Sequence, residues 1–172
     1  MSIYEENFKR LLTNLCKKVP GGTTLSEDVK VRLDNIFKKL LSYILKSSDN
    51  IKSIKSSLKK ILSSKLYNNA IDNCKVFSSI SSLERVIKKY ITNKDDINIK
   101  FISCVSYYIM YEIIDAASDI TRRSSKTRIT IEHIDSTINE DLEIKRIISK
   151  IDNKSIRKSR SRKRSRRSRS RR

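Results

Sequence analysis

Near the start of the chain the apolar residues recur at helical spacing. Phe8, Leu11, Leu12, Leu15, Cys16 and Val19 follow the steps of three and four that put side chains on one face of a helix. The pattern predicts an amphipathic helix over 4–18, stopped by Pro20-Gly21-Gly22, the chain's strongest turn signal. After Thr23, Thr24 and Leu25, Ser26 stands where it can cap a second helix. The first turn of that helix carries Glu27 and Asp28, acids that suit the positive end of the helix dipole. Its stripe is Val29, Leu33, Ile36, Phe37, Leu40, Leu41, Ile44 and Leu45, a long helix of about five turns. Residues 47–57 (SSDNIKSIKSS) are polar and leave two readings open, an extended helix end or a loop. Lys60-Ile61-Leu62 reads as a short strand-like piece. A short helix follows Ser63 and Ser64, with Leu66, Tyr67, Ala70, Ile71 and Cys74 on one side.

The order short, long, short then recurs. Ile80, Leu83, Ile87, Tyr90 and Ile91 predict a short helix, and Asn93-Lys94-Asp95-Asp96 break it. A long helix is expected from about Ile97 to Thr121, through Phe101, Val105, Tyr108, Ile109, Glu112, Ile113 and Ala116. The basic turn at 122–128 leads to a strand-like Ile129-Thr130-Ile131 and a short helix with Ile134 and Ile138. Ile144, Ile147, Ile148 and Ile151 predict a last turn or two of helix docking back on the body. At the level of pattern the chain is a duplication, and its predicted fold class is all-α.

Charge adds a partner to this picture. The 172 residues carry 39 Lys and Arg against 19 Asp and Glu, a formal charge of +20 and a pI near 10.1. Such a surface attracts a polyanion, nucleic acid before anionic lipid. Of the basic residues, twelve lie between Lys154 and Arg172 with no acid among them. The stretch from Ser159, SRSRKRSRRSRSRR, has no apolar residue to bury and is expected to be disordered alone.

Several function classes drop out on composition. Two Gly and one Pro leave almost nothing for Gly-rich phosphate cradles, dinucleotide fingerprints or tight hairpins. The opening residues carry Glu5 and Glu6 where a signal peptide needs basic residues, and no window reaches the roughly 18 apolar residues of a spanning helix. An intracellular soluble chain with no membrane partner is the expectation. Cys16, Cys74 and Cys104 are far apart and never paired as C-x-x-C, so they read as small buried thiols rather than a disulfide framework or zinc site. His133 is the single histidine, which removes paired-His metal spacing and favours a helix-cap or packing role. The carboxylate pairs Glu5/Glu6, Asp95/Asp96 and Glu140/Asp141 fall at turns and helix starts, where acids occur without catalysis. The chain is therefore expected not to be an enzyme, with no catalytic or metal site, no cofactor and no small-molecule substrate.

The segment KTRITIEHIDSTINEDLEIKRII from Lys126 to Ile148 joins YYIMYEIIDAASDITRRSS upstream in register. Together, over Asn98 to Ile148, they resemble histone 2A from its long helix to its C-terminal extension. Thr127-Arg128-Ile129, His133-Ile134 and Ile138 are the most specific positions. In the first half, VPGGTTLSEDVK from Val19 and KILSSKLYNNAI from Lys60 resemble histone 2B, with a few extra residues before Lys60. A 2B-like half followed by a 2A-like half is similar to the fused histone doublets of giant DNA viruses.

The resemblance implies two histone folds, at 1–77 and 78–153, clasped as an intramolecular handshake, with a basic tail at 154–172. It also implies packaging of double-stranded DNA without sequence specificity, and assembly with a histone 3/4-like partner into nucleosome-like particles. The expected location is the virion and the viral factory or host nucleus for a viral source, and nuclear chromatin otherwise. SLERVIKKYI at 82–91 can be the first helix of the second fold or a remnant of the first fold's last helix, and the former reading closes the second core. Two other functions stay open, a histone-fold subunit of a transcription regulatory complex and an Arg/Ser-rich RNA-binding protein. Scarce aromatic residues disfavour the latter.

A basic loop is by default a solvated one. The repeat context singles out Arg128, whose planar guanidinium suits a narrow, negative minor groove. Lys126, Arg122 and Arg123 share its loop, while Arg85 and Lys88 take the DNA-facing positions of the predicted short helix. Lys59 and Lys60 stand at the second loop of the first half. The acidic patch of 2A-type histones carries over at Glu112, Asp115, Asp141 and Glu143, whereas Tyr107 and Leu142 stand where acids would be.

Overall fold

The computed structural model of the chain describes residues 3–45, 51–76, 81–88 and 96–152. The tail at 154–172, the break at Asn93-Lys94-Asp95, and Tyr90 and Ile91 lie outside the described residues. The first half supplies α1 (Ile3–Lys18), β1 (Thr24–Leu25), α2 (Glu27–Leu45), α3 (Ile51–Ile61) and α4 (Ser64–Val76). The second supplies α5 (Ser81–Lys88), α6 (Asp96–Arg123), β2 (Arg128–Ile129), α7 (Ile131–Glu140) and a last helix α8 over 142–152. The described residues are overwhelmingly helical, as the three-and-four spacing of their apolar positions requires.

The core is built around α6. At 28 residues it is about 42 Å long, and α2, α4, α5 and α7 all pack on it. Every side chain from Ile102 to Met110 is buried, so here the helix is enclosed on all sides rather than along one stripe. From the first half, α1 packs on α5, α2 on α6 and α7, and α4 on α6. Buried apolar side chains consequently form one continuous cluster from Phe8 on α1 to Ile151 on α8. The segment at 82–91 is helical over its described part, α5, and packs on both α1 and α6.

Two local readings of the sequence are corrected. Lys60-Ile61-Leu62 is not strand-like: Lys60 and Ile61 close α3, and the Leu62 N–H donates to the Leu58 carbonyl at 2.9 Å. The polar stretch before it is helical from Ile51, because Ile54, Leu58 and Ile61 sit three and four apart and are all fully buried. The strand pairing lies elsewhere. β1 runs parallel to β2 with Thr24 opposite Arg128 and Leu25 opposite Ile129. Thr130 and Ile131, read as a continuation of that strand, instead become the N-cap and first residue of α7.

The helix ends that frame this pairing are fixed by capping. At the end of α6 the Lys126 N–H bonds the Thr121 carbonyl at 3.1 Å and the Ser125 N–H bonds the Arg122 carbonyl at 2.9 Å. This is the double closure of a Schellman motif, with Ser125 in the left-handed region at φ 54° where glycine is usual. At α7 the Thr130 N–H donates to Nδ1 of His133 at 3.1 Å, and the imidazole is buried, so the single histidine is a capping and packing residue.

Candidate nucleic-acid interface

The β1–β2 pairing brings the loop that enters α2 against the loop that leaves α6. Two further backbone bonds extend it, Thr24 N–H to the Thr127 carbonyl at 2.9 Å and Ser26 N–H to the Ile129 carbonyl at 3.1 Å. Strand alternation then sorts the side chains: Leu25 and Ile129 turn into the core, and Thr24 and Arg128 turn outward side by side. Among the described residues the Arg128 guanidinium has no hydrogen-bond or ion-pair partner. Lys126 is exposed in the same turn.

Arg122 lies across the other loop. Gly21 has φ +98°, where glycine is favoured, and a Cβ added there would stand 2.7 Å from Cδ of Arg122 and push that side chain aside. Pro20 is tied to α6 as well, its carbonyl accepting the Ser118 hydroxyl at 3.4 Å. The arginines at the end of α6 are partly compensated, Arg122 by Asp119 and Arg123 by Glu140 at 3.8 Å. The four basic residues of this loop thus fall into two held in place by acids and two presented outward.

Sequence reasoning missed the neighbouring cavity of about 350 Å³, lined by Thr13, Lys17, Gly22, Thr24 and Lys30 among others. Lys30 is anchored at 2.9 Å by Glu27, which Lys9 also contacts. These two cations hold the exposed Glu27 carboxyl down at about 2. The stripe of α1 points Lys17 away from the core beside the turn. That signal was present in the sequence, but it depended on knowing which loop packs there.

The remaining basic positions are placed apart from this edge. Lys59 and Lys60 are exposed on the last turn of α3; the Lys59 ammonium lies 5.3 Å from the Tyr67 ring centre, and the Lys60 carbonyl accepts Lys150 of α8 at 3.1 Å. Arg85 and Lys88 are exposed on α5, which packs between α1 and α6.

The four acids do meet. Asp141 Oδ1 accepts the N–H groups of Glu143 and Ile144 at 2.8 and 2.9 Å and so caps α8. Glu143 receives the Ser63 hydroxyl, whose oxygen accepts the Leu66 N–H and starts α4. Glu112 is half-buried, and burial, reinforced by Asp115, Glu143 and Asp141, pushes its carboxyl above the ordinary 4.5 even though the Tyr108 hydroxyl donates to it. Burial raises Asp115 too, helped by Asp119. Leu142 is 80% exposed beside this set, whereas Tyr107 is buried under Lys18, with the ammonium 5.3 Å from its ring centre.

The folded state holds the Glu112 proton more tightly than the unfolded chain does. Its contribution to stability is therefore complete below pH 4.5 and is lost as pH rises through the elevated folded value. Glu112→Gln keeps an acceptor for Tyr108 and removes the charge. It is expected to melt a few degrees higher than wild type at pH 7, with the gap closing at pH 4, as thermal denaturation at the two pH values will measure.

Among the described residues no group of three or more His, Cys, Asp or Glu side chains could hold a metal ion, and no helix is long and apolar enough to cross a membrane. No protein family model and no curated protein matches the chain.

Proposed function

We propose that the chain is a histone doublet, two histone folds fused in 2B-like and 2A-like order, that packages duplex DNA without sequence preference together with a histone 3/4-like partner. The carrying observation is the parallel pairing of Thr24-Leu25 with Arg128-Ile129, which seats the first loop of one half against the second loop of the other at a basic edge. Support also comes from the short, long, short order of the second half and from the packing of α2 on α6, which joins the two halves in one core. The first half departs from that order where α2 and α3 occupy the place of one long helix. The reciprocal loop pairing that this reading expects would involve residues 89–95, which lie outside the described ones.

In this reading Arg128 enters a minor groove that faces the edge, the backbone N–H groups at the start of α2 meet phosphate, and the tail neutralises phosphates along the duplex. Such contacts carry shape and charge rather than base identity. Arg128→Ala is expected to weaken binding roughly three- to tenfold, equally on unrelated duplexes, in fluorescence titrations at fixed salt. A loss confined to particular sequences would contradict the reading.

The decisive experiment is reconstitution followed by nuclease digestion. One clasped pair is too short to hold a duplex, with its persistence length of about 150 bp, through a full turn. Alone the chain is expected to coat DNA without defined protection, and with a 3/4-like histone pair to protect a discrete fragment. No discrete fragment in either mixture would favour a regulatory subunit, and a discrete fragment from the chain alone would remove the partner requirement.

A further inference from the structure

On α3 every exposed position is a lysine or a serine, namely Lys52, Ser56, Lys59 and Lys60. On α8 the exposed positions past Leu142 are Lys145, Arg146, Ser149 and Lys150. Lys52, Lys55 and Lys59 recur at steps of three and four, so the cations of α3 form a stripe on the side away from buried Ile54, Leu58 and Ile61. The sequence of α3 contains no acid. Among the described residues no carboxylate pairs with Lys52, Lys59, Lys60, Lys145 or Arg146.

Two contacts fix the helices side by side. The Lys150 ammonium donates to the Lys60 carbonyl at 3.1 Å, and Asp152 pairs with Lys39 of α2 at 2.6 Å. A carbonyl leaves the charge of Lys150 uncancelled, so it stands at the end of α3 where Lys59 and Lys60 already lie. The acid of α8 nearest its start, Glu143, is taken up by the Ser63 hydroxyl. Like charges gathered without counter-charges oppose folding, and a polyanion laid across them recovers that cost. Beyond Asp152 the chain continues into 154–172 with its twelve cations. Lys39 lies twelve residues beyond Glu27, about 18 Å along α2, so this face is separate from the edge that carries Arg128.

We propose that the outer face of α3 and α8 is a second surface for duplex DNA, which grips the sugar-phosphate backbone and whose contact the basic segment after Asp152 extends. Lysine and arginine with interspersed serine hydroxyls are the side chains that meet phosphate oxygens. Neither helix contains an aromatic residue on which an unpaired base could stack, which disfavours single-stranded nucleic acid. Leu142 is the one exposed apolar side chain on the two helices, so a docking protein or a membrane finds almost no apolar anchor. The inference rests on the reading that the chain binds duplex DNA, but it needs no histone partner.

The test uses the full chain and a triple variant, Lys52→Gln, Lys145→Gln and Arg146→Gln, titrated with a short duplex at several salt concentrations. All three side chains are exposed, so the variant should keep the helix signal and the melting temperature of wild type. Its affinity is expected to fall about tenfold near 0.1 M salt and its slope of log K against log salt by about two, since each phosphate left unneutralised counts about 0.9. Footprinting with an amine-acylating reagent checks the location without any substitution: the duplex should slow labelling of Lys52, Lys59 and Lys145 several-fold in the wild-type chain. If wild type binds no duplex, this surface falls together with the packaging reading. If wild type binds but the triple variant keeps its slope, or the three lysines label at the same rate with and without the duplex, the surface alone falls and DNA binding stands. Loss of binding to phosphatidylserine vesicles in the variant, with duplex binding intact, would overturn the proposal by assigning the face to a membrane.

Discussion

Removal of residues 154–172 is expected to lower affinity for duplex DNA by at least about 100-fold near 0.1 M salt, and to flatten its salt dependence. Twelve cations and no anion leave with this segment. Each phosphate neutralised contributes about 0.9 to the slope of log K against log salt, so full engagement of the tail accounts for a slope change of up to about ten. What remains, 27 basic against 19 acidic residues, is a body with modest long-range attraction. The outward pair Arg128 and Lys126 lies within that body, so residual binding should keep its indifference to sequence. Helix content by circular dichroism should change little, since the buried cluster ends at Ile151. Titrations of both chains at several salt concentrations measure the effect; equal slopes would remove the tail from the binding reaction.

Phe37→Ala is expected to cost about 3–5 kcal/mol, a large share of the roughly 5–15 kcal/mol that stabilises a domain of ordinary size. Phe37 is fully buried on α2, its ring centre 5.1 Å from that of Phe8 on α1. Alanine there leaves a cavity that neither helix can close, because α1 is also held by α5 and α2 by α6 and α7. The shared core adds a second expectation: urea unfolding should remain one cooperative transition, shifted to lower denaturant, with both halves melting together. Phe37→Leu retains more of the volume and should cost less than half as much. A shift below about 1 kcal/mol for the alanine variant would mean that the packing around Phe37 relaxes freely.

Where a helix buries one stripe, its sequence was nearly sufficient. All six apolar residues of the α1 stripe are buried, and the four isoleucines assigned to the final helix dock as expected. Over α3 the reading stays open at 47–57 and fails at 60–62, although Ile51, Ile54, Leu58 and Ile61 carry the same period. Serine and lysine at the intervening positions hid it, and the adjacent Ile61 and Leu62 imitate a buried strand. Local pattern made the loops legible as basic turns, while only the handshake implied by the histone resemblance put the 122–128 turn beside Pro20-Gly21-Gly22. A two-residue parallel pairing is set by where α1, α2 and α6 deliver their ends, which no local pattern encodes. For the same reason Arg128 could be singled out by residue type, whereas the lysines of the adjoining cavity could not. The acids illustrate a different limit: Asp141 and Glu143 cap and brace α8, so their position in the acidic set follows from helix starts as much as from any partner.

The β1–β2 pairing also has a clock attached to it. Thr24 cannot meet Arg128 until roughly a hundred further residues have been synthesised, about 5–20 s at ordinary elongation rates. During that interval the stripe of α2 has no α6 or α7 to cover it. Carrying both halves on one chain guarantees that the covering surface arrives at every ribosome in equal number, but it fixes a delay that no increase in protein concentration can shorten. The nascent first half is thus the species most exposed to aggregation, and its demand for chaperone binding is set by translation speed.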